Sequence, residues 1–167
     1  ISRSNAIFNY TAGDPKNWTD PKAISINARY MSMLPLDERR TFMGFDRGAG
    51  GVGTRNYIGV LTSVNCSATV ARRIADAFPD SILPAGVDGV VAFTHQGGCG
   101  GSSLSSDVTL LQRTLAGYAR HPNFHSILIV GLGCEANQIP AWLANEGLQS
   151  GPHLHALTIQ EAGGTAR

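Results

Sequence analysis

The chain lacks an excess of charge of either sign, and it lacks a long apolar run. Thirteen basic residues face 12 acidic ones among 167, which gives a formal charge of +1. Nucleic-acid binding requires a concentrated basic surface, which this balance does not provide. A membrane-spanning helix requires roughly 20 consecutive apolar residues, and the sequence has no such run. We therefore expect neither nucleic acid nor a membrane as a partner.

The chain also has few cysteines, and no two of them show the C-x-x-C spacing of a zinc or redox motif. Cys66, Cys99 and Cys134 are an odd number at wide spacing, unlike the framework of a disulfide-stabilised secreted domain. The N-terminal residues lack the charged and then apolar pattern of a signal peptide. These features favour reduced thiols and a cytoplasmic location.

Glycine, by contrast, is abundant, with 20 residues in the chain. Four of them fall in THQGGCGGSS at 94–103, directly after the apolar run VDGVVAF at 87–93. A plain turn requires one or two glycines, at positions with φ > 0. Four glycines predict that the backbone approaches another group closely here. We expect at least one positive φ in this loop, and we expect the loop to follow a central strand.

Apolar runs alternate with helical patterns along the later part of the chain. Residues 1–50 show no sustained periodicity, so we predict an extended lead-in there, with a short helix near 37–40. Residues 51–167 carry strand candidates near 56–64, 89–94, 126–133 and 154–160, and helix candidates near 67–78, 105–120 and 136–146. Strands that are apolar almost throughout indicate a sheet buried on both faces. We predict a three-layer, Rossmann-like α/β domain with a mainly parallel sheet and helices on both faces.

Each cysteine follows one of the predicted strands. In open parallel α/β sheets, ligands bind outside the carboxyl ends of the strands. Cys66, Cys99 and Cys134 are about one βα unit apart, so we expect three thiols from successive crossovers to meet at one edge. A lone cysteine more often packs as a small hydrophobe. Three cysteines in equivalent loops favour a metal site, and thiolates favour iron or zinc there.

Polar residues of the same loops complete the predicted site. His95 lies in an exposed polar loop, where a functional role and a structural one are about equally expected. Glu135 stands at a predicted helix start, where it serves either the helix dipole or catalysis. Five further residues are predicted to bind substrate at this edge: Thr94, Gln96, Gly97, Gly98 and Gln138.

A second glycine-rich segment, GAGGVGTRN at 48–56, precedes a strand instead of opening a helix after one. It therefore does not fit a dinucleotide-binding fingerprint. The segment is better interpreted as flexible backbone that delivers Arg55 and Asn56 to the edge of the sheet. The guanidinium of Arg55 has the forked geometry that suits a carboxylate, so both residues are predicted to bind substrate.

Four longer motifs occur in order along residues 42–165: GFDRGAGGVGTRNYIGVLTSVNCS, VVAFTHQGGCG, GLGCEANQI and LTIQEAGGT. In order and spacing they resemble the altronate and galactarate dehydratase family of sugar-acid dehydratases. The resemblance covers roughly three quarters of the chain. It implies the central part of a longer, cytoplasmic, divalent-metal-dependent lyase that removes water from a hexonate or hexarate to leave a 2-keto-3-deoxy acid.

The resemblance also implies a metal, which is usually iron, as Fe²⁺ or an iron–sulfur cluster, with manganese as the alternative. We expect Cys66, Cys99 and Cys134 to hold the metal. A metal ion can stabilise enediolate-like charge and the leaving oxygen together. On this hypothesis His95 and Glu135 are the catalytic residues, and Arg55 binds the substrate carboxylate.

Two alternative functions stay open. A related lyase that acts on another hydroxy acid, such as sulfolactate, carries similar motifs. The chain is alternatively a non-catalytic domain of such an enzyme, whose catalytic groups come from other sequence. In either case the expected partner is a small-molecule acid. The sequence leaves open the substrate stereochemistry, the identity of the metal and whether the protein forms a homodimer.

Overall fold

The computed structural model describes residues 2–4 and 42–165. The chain divides into two compact units, Ile1–Gly44 and Phe45–Arg167. The second unit contains the predicted α/β domain. The short helix predicted near 37–40, and most of the predicted lead-in, lie outside the described residues.

Three short antiparallel strands precede the main sheet. In the first unit, β1 (Ser2–Ser4) pairs with the beginning of β2 (Phe42–Asp46). In the second unit, the last two residues of β2 pair with β3 (Val52–Gly53). A single 3₁₀ turn at Gly48–Gly50 connects β2 to β3. The segment around this turn therefore has defined backbone structure, and it forms a hairpin.

The second unit is built on a sheet of four parallel strands: β4 (Tyr57–Thr62), β5 (Gly89–Phe93), β6 (Phe124–Gly131) and β7 (Leu154–Thr158). Their order across the sheet is β5-β4-β6-β7, and all three pairings are parallel. The predicted α/β fold with a parallel sheet is confirmed. The Rossmann-like detail of that prediction stays a prediction.

Three helices connect these strands: α1 (Ala68–Asp76), α2 (Ser106–Ala119) and α3 (Ile139–Asn145). The helix α2 begins as predicted, because Ser105 Oγ accepts a hydrogen bond of 3.3 Å from the Val108 N–H. Pro140 lies in the first turn of α3, where backbone N–H groups have no partner within the helix, so the missing N–H of proline costs no hydrogen bond. Within the described segments, no helix has the length and apolar character needed to cross a membrane.

The start and the end of α1 differ from the prediction. Ser67 precedes α1, but its hydroxyl donates to the carbonyl oxygens of Val64 and Val130 and does not cap the helix. Ala71 is fully buried at the centre of the inner face. Phe78, the last residue of the predicted helix 67–78, is 48% exposed because α1 ends two residues before it.

The hydrophobic core lies on both sides of the sheet. Neighbouring residues of a strand point to opposite faces. On one face Val60 of β4 packs with Ala71 of α1. On the other face Leu61 packs in a cluster with Leu115 of α2 and Trp142 of α3. Helices therefore cover both faces, and the loops at the carboxyl ends of the strands are left to build a site.

Candidate functional site

Two of the three predicted thiols meet at the carboxyl end of the sheet. Cys66 lies in a 3₁₀ turn after β4, and Cys99 lies in the glycine loop after β5. Their Sγ atoms are 3.7 Å apart, and both residues are exposed. Two thiolates that ligate one tetrahedral metal at about 2.3 Å lie about 3.8 Å apart. The observed separation therefore fits two ligands of a shared metal.

Cys134 follows β6 and is exposed at the same edge. The hydrogen bond to Cys99, then burial, and then the negative charges of Cys99 and Cys134 raise the pKa of the Cys66 thiol. Cys134 thus lies close enough to act on Cys66 electrostatically. Within residues 2–4 and 42–165, however, no three His, Cys, Asp or Glu side chains are grouped closely enough to hold a metal ion. A metal site of three cysteines stays a prediction.

Backbone hydrogen bonds join the three loops that carry the cysteines. The Asn65 N–H donates to the Gly97 carbonyl at 2.9 Å, which links the loops after β4 and β5. The N–H groups of Ala136 and Asn137 donate to the Gly98 carbonyl at 3.0 and 3.3 Å, which links the loops after β5 and β6. We call these three connected loops the loop frame. It holds the cysteines on a common support.

Gly98 is the glycine that the loop frame requires. Its φ is +88°, and an added Cβ would collide with the Ser63 carbonyl oxygen and lie 3.1 Å from the Val64 Cα. Gly101 also has a positive φ, +91°, but open space surrounds it. The predicted positive φ is confirmed, and the close approach is to the chain's own backbone. The expected central position is wrong, because β5 is an edge strand of the described sheet.

Glu135 is a buried carboxylate beneath this frame, with 4% of its surface exposed. Its Oε1 accepts from Ser63 Oγ at 2.6 Å and from the Leu132 N–H at 3.2 Å, and its Oε2 accepts from the Gly133 N–H at 2.5 Å. Burial raises the pKa of this carboxyl, but the hydrogen bonds from Ser63 and from the backbone outweigh it, so the pKa is lowered. These contacts suit a positioning role. The predicted catalytic role stays a prediction.

A second buried polar chain supports the frame. Asn137 is fully buried, and its Nδ2 donates to the Ser63 carbonyl at 2.9 Å. Its Oδ1 accepts from Gln112 Nε2 of α2 at 3.0 Å, and Gln112 Oε1 accepts from Asn145 Nδ2 at 3.0 Å. Asn137 and Gln112 were not among the residues predicted from the sequence. The available signal was a polar residue at an otherwise apolar position of α2.

His95 lies at the predicted edge and is half-buried. Its Nδ1 accepts from the Gly97 N–H at 3.2 Å, and its Nε2 lies 2.8 Å from the Thr62 carbonyl oxygen. A carbonyl oxygen only accepts, so we assign the ring proton to Nε2. Both ring nitrogens therefore contact backbone, Nε2 at the end of β4 and Nδ1 in the glycine loop after β5. The predicted role of His95 as acid or base stays a prediction.

The remaining predicted residues of this edge are also near the cysteines in the fold. Gln96 is exposed in the glycine loop. Gln138 Nε2 donates to the Glu135 carbonyl at 2.7 Å and to the Gly133 carbonyl at 3.4 Å, and so closes the turn that carries Cys134. Thr94 Oγ1 accepts a hydrogen bond of 2.8 Å from Arg72 Nη2. The structure therefore adds one cation that sequence analysis missed, Arg72 of α1. The available signal was its place on the helix that follows the first cysteine loop.

Arg55 and Asn56 lie at the opposite, amino end of the sheet. They precede β4, whose six residues span about 20 Å at the usual rise per residue. Asn56 is nearly buried: its N–H donates to Asp88 and its Nδ2 to the Gly86 carbonyl, each at 2.6 Å. The structure does not bring Arg55 and Asn56 together with the cysteines. This placement does not support the prediction that they share one substrate.

A groove of about 730 Å³ opens beside Cys66. Arg73 supplies a charge to its lining, and most of the remaining lining is apolar: Val70, Ile74, Phe78, Leu157 and Ile159. Such a lining does not suit a polyhydroxy acid, which requires many hydrogen-bond partners. The polar edge that carries Thr94, Gln96 and the three thiols suits such a ligand better.

Comparison with known proteins identifies the family. Residues 44–167 match the family described as D-galactarate dehydratase/Altronate hydrolase, second domain. The chain belongs to this family. No solved structure matches it.

Three curated relatives show the extent of the similarity. The chain is 36% identical to altronate dehydratase of Escherichia coli (strain K12), over 70% of this chain and 23% of the relative. It is 33% identical to altronate dehydratase of Bacillus subtilis (strain 168), over 74% of this chain and 24% of the relative. It is 37% identical to galactarate dehydratase (L-threo-forming) of Escherichia coli (strain K12), over 63% and 21%. The chain thus spans about a quarter of the length of these relatives.

Proposed function

We propose that this chain is the metal-carrying domain of a cytoplasmic hydro-lyase that dehydrates a sugar acid, such as altronate or galactarate, to a 2-keto-3-deoxy acid. The observation that carries the proposal is the 3.7 Å separation of the Cys66 and Cys99 sulfurs at the carboxyl end of a parallel sheet. The names of the relatives support the substrate class.

The donor set at this edge suits a soft divalent metal. We assign Cys66 and Cys99 as its ligands, and the exposed Cys134 of the same edge as a third ligand. Thiolates select iron over magnesium or calcium, so iron is the preferred metal, as Fe²⁺ or in a cluster, and manganese is the alternative. The raised pKa of Cys66 means that metal binding there must displace a proton. When bound, the metal would supply Lewis-acid stabilisation of developing negative charge.

The chain's own residues then bind and orient the acid. Arg72, and not Arg55, lies at the carboxyl end of the sheet with the cysteines, where its guanidinium can bind the substrate carboxylate through two parallel hydrogen bonds. Thr94 Oγ1 accepts from Arg72 Nη2 and so orients the guanidinium, and the exposed Gln96 offers a donor and an acceptor to substrate hydroxyls. His95 exchanges a proton at Nδ1 after its contact with the Gly97 N–H is released.

The test uses protein that contains this chain, purified without oxygen and loaded with Fe²⁺. Keto-acid formation from altronate and galactarate, and sulfite release from sulfolactate, are measured alongside metal content. We expect keto-acid formation, and we expect Cys99→Ser to lose metal and activity together with the fold intact. Arg72→Lys should raise KM about tenfold or more, because the lysine loses the bidentate fork. Arg113→Lys, an exposed position on α2, is the matched control.

The alternatives correspond to different results of the same experiment. Sulfite release without keto-acid formation from the sugar acids would assign the related lyase instead. A folded, metal-binding protein that turns over none of these acids would support the non-catalytic domain. Unchanged metal content and activity in Cys99→Ser would overturn the assignment of the cysteines.

A further inference from the structure

A cavity of about 410 Å³ lies at the amino end of the sheet, away from the cysteines. It is bounded by the end of β2, the end of α2, the start of β6 and the turn before β7. Its ionisable lining residues are Asp46, Arg47, Arg120, His121, His125 and His153. We propose that this cavity binds a small dianion, either a phosphoryl group or a dicarboxylate. The site is independent of the proposed lyase chemistry, because it lies at the other end of the strands.

Arg47 is fixed in position before any ligand arrives. Its Nε donates to the Pro122 carbonyl at 3.0 Å, and its Nη2 donates to Asn56 Oδ1. The Phe45 ring lies 5.6 Å from the guanidinium carbon. An arginine has five N–H donors, so these contacts within the described residues leave three for a ligand. A preorganised guanidinium loses little freedom on binding, which favours affinity.

The histidines add donors whose tautomers are set by backbone contacts. His121 Nδ1 accepts from the Asn123 N–H at 3.1 Å, so its proton is on Nε2. His153 Nδ1 lies 3.0 Å from the His125 carbonyl and donates to it, because the carbonyl oxygen only accepts. The His125 and His153 rings are 5.0 Å apart. Protonation of these rings would place several donors around one small cavity.

Positive charge in the cavity exceeds negative charge. Burial, then the charge of Arg47, then the charge of His153 lower the pKa of His125. Asp46 is the one carboxylate among the described lining residues, and its Oδ1 accepts from the Gly48 N–H at 2.8 Å. A bound dianion would offset the repulsion between Arg47 and the imidazolium groups. Binding should therefore take up protons and be tighter at pH 6 than at pH 8.

The carboxyl end of α2 reaches the cavity lining at Ala119. The helix dipole places a negative partial charge at this end, which opposes the binding of an anion. Two residues beyond the helix reduce this effect. The Arg120 N–H donates to the Ala116 carbonyl at 3.1 Å, and the His121 N–H donates to the Tyr118 carbonyl at 3.0 Å. The Arg120 guanidinium, whose Nη2 donates to the Glu146 carbonyl, adds a full positive charge beside the cavity, so the balance favours an anion.

Titration of the labelled chain, followed by NMR of the histidine rings, tests the proposal. The probes are sulfate, a dianion throughout pH 6 to 8 that stands in for a phosphoryl group, and galactarate, a dicarboxylate. Chloride at matched ionic strength is the baseline. We expect saturable movement of the His125 and His153 resonances, with affinity about tenfold higher at pH 6 than at pH 8. Tighter sulfate binding assigns a phosphoryl ligand, and tighter galactarate binding assigns a dicarboxylate.

Two matched pairs of variants place the ligand. Arg120→Gln should weaken dianion binding about tenfold, and Arg113→Gln, at an exposed position within α2, should leave it unchanged. If Arg120→Gln fails to fold, His121→Gln replaces it, with the exposed His155→Gln as its control. Absence of any saturable movement at pH 6, or equal affinity in a variant and its control, overturns the proposal.

Discussion

The two ends of the parallel sheet use polar residues in opposite ways. At the carboxyl end, Glu135 and the backbone bonds to Gly98 build the loop frame, and the thiols remain exposed above it. At the amino end, the side chains of Arg47 and Asn56 are themselves used to hold the fold together: Arg47 donates to Asn56 Oδ1 and to the Pro122 carbonyl. Histidines line the neighbouring cavity. The candidates for chemistry are therefore the side chains that the framework leaves exposed, and not every polar residue of a motif.

The largest effect is expected at Gly98. Gly98→Ala should lower the free energy of unfolding by about 3 kcal/mol or more, because strain at positive φ adds to a collision with the Ser63 carbonyl. Gly101→Ala has a similar φ and open surroundings, so it should lose about 1 kcal/mol. Urea unfolding measures both. Equal losses would show that the approach of Gly98 to the loop after β4 does not hold the frame.

Glu135 should give the next largest effect, and one that depends on pH. Glu135→Gln should lose about 2 kcal/mol at pH 7, because an amide cannot accept all three hydrogen bonds. The folded pKa is lowered, so the carboxylate stabilises the fold above its ordinary value of 4.5 and loses this effect as the pH falls through the folded pKa. The difference in free energy of unfolding between wild type and Glu135→Gln should therefore become smaller in acid.

Glu161→Gln is the control for this experiment. Glu161 is exposed in the loop after β7 and accepts a hydrogen bond from Thr158 Oγ1. Its replacement should change stability by less than about 0.5 kcal/mol at any pH. A gap at Glu135 that stays constant from pH 7 to pH 3 would rule out an ionised, hydrogen-bonded carboxylate.

A smaller effect is expected on thiol reactivity in the metal-free protein. Cys99→Ala removes the hydrogen bond that most strongly raises the pKa of Cys66. More thiolate at pH 7.5 should then speed alkylation of Cys66 by iodoacetamide roughly threefold or more, measured by mass spectrometry. Cys134→Ala removes a lesser cause and should have a smaller effect. The opposite ranking of the two variants would place Cys134, and not Cys99, against Cys66.

The smallest effect is expected at the amino end. Arg55 is exposed there, and its backbone N–H donates to Asn123 Oδ1 at 3.2 Å. Arg55→Lys should leave metal content and KM unchanged and alter stability by less than about 0.5 kcal/mol. A tenfold increase in KM would restore Arg55 to the substrate site and show that another part of the protein brings the two ends of the sheet together.

Local patterns predicted the strands and helices well, since hydrophobic periodicity and caps are short-range signals. The apolar runs became β4 to β7, and Ser105 caps α2. The cysteine loops could be placed at one edge because the carboxyl ends of parallel strands share it. Gly98 could be recognised as a point of close approach, but the group that it approaches could not be identified.

The individual site residues were less predictable, because their roles depend on partners distant in sequence. Glu135 accepts a hydrogen bond from Ser63, and Asn137 accepts one from Gln112. The partners are far apart in sequence, so no local pattern indicates either pair. Arg55 was favoured for its guanidinium although it precedes a strand, so it lies at the amino end. Chain direction, read together with the strand prediction, was the signal that would have placed it at that end.

Cobalt binding is the direct test of whether the paired thiols at the carboxyl end of the sheet hold the metal. Co²⁺ is added to the reduced chain without oxygen, and the thiolate-to-metal charge-transfer absorption is recorded for wild type, Cys99→Ser and Arg55→Lys. If these thiols hold the metal, wild type and Arg55→Lys show a saturable thiolate band that is lost in Cys99→Ser. Saturable Co²⁺ binding without any thiolate band, or an identical band in Cys99→Ser, would contradict this assignment.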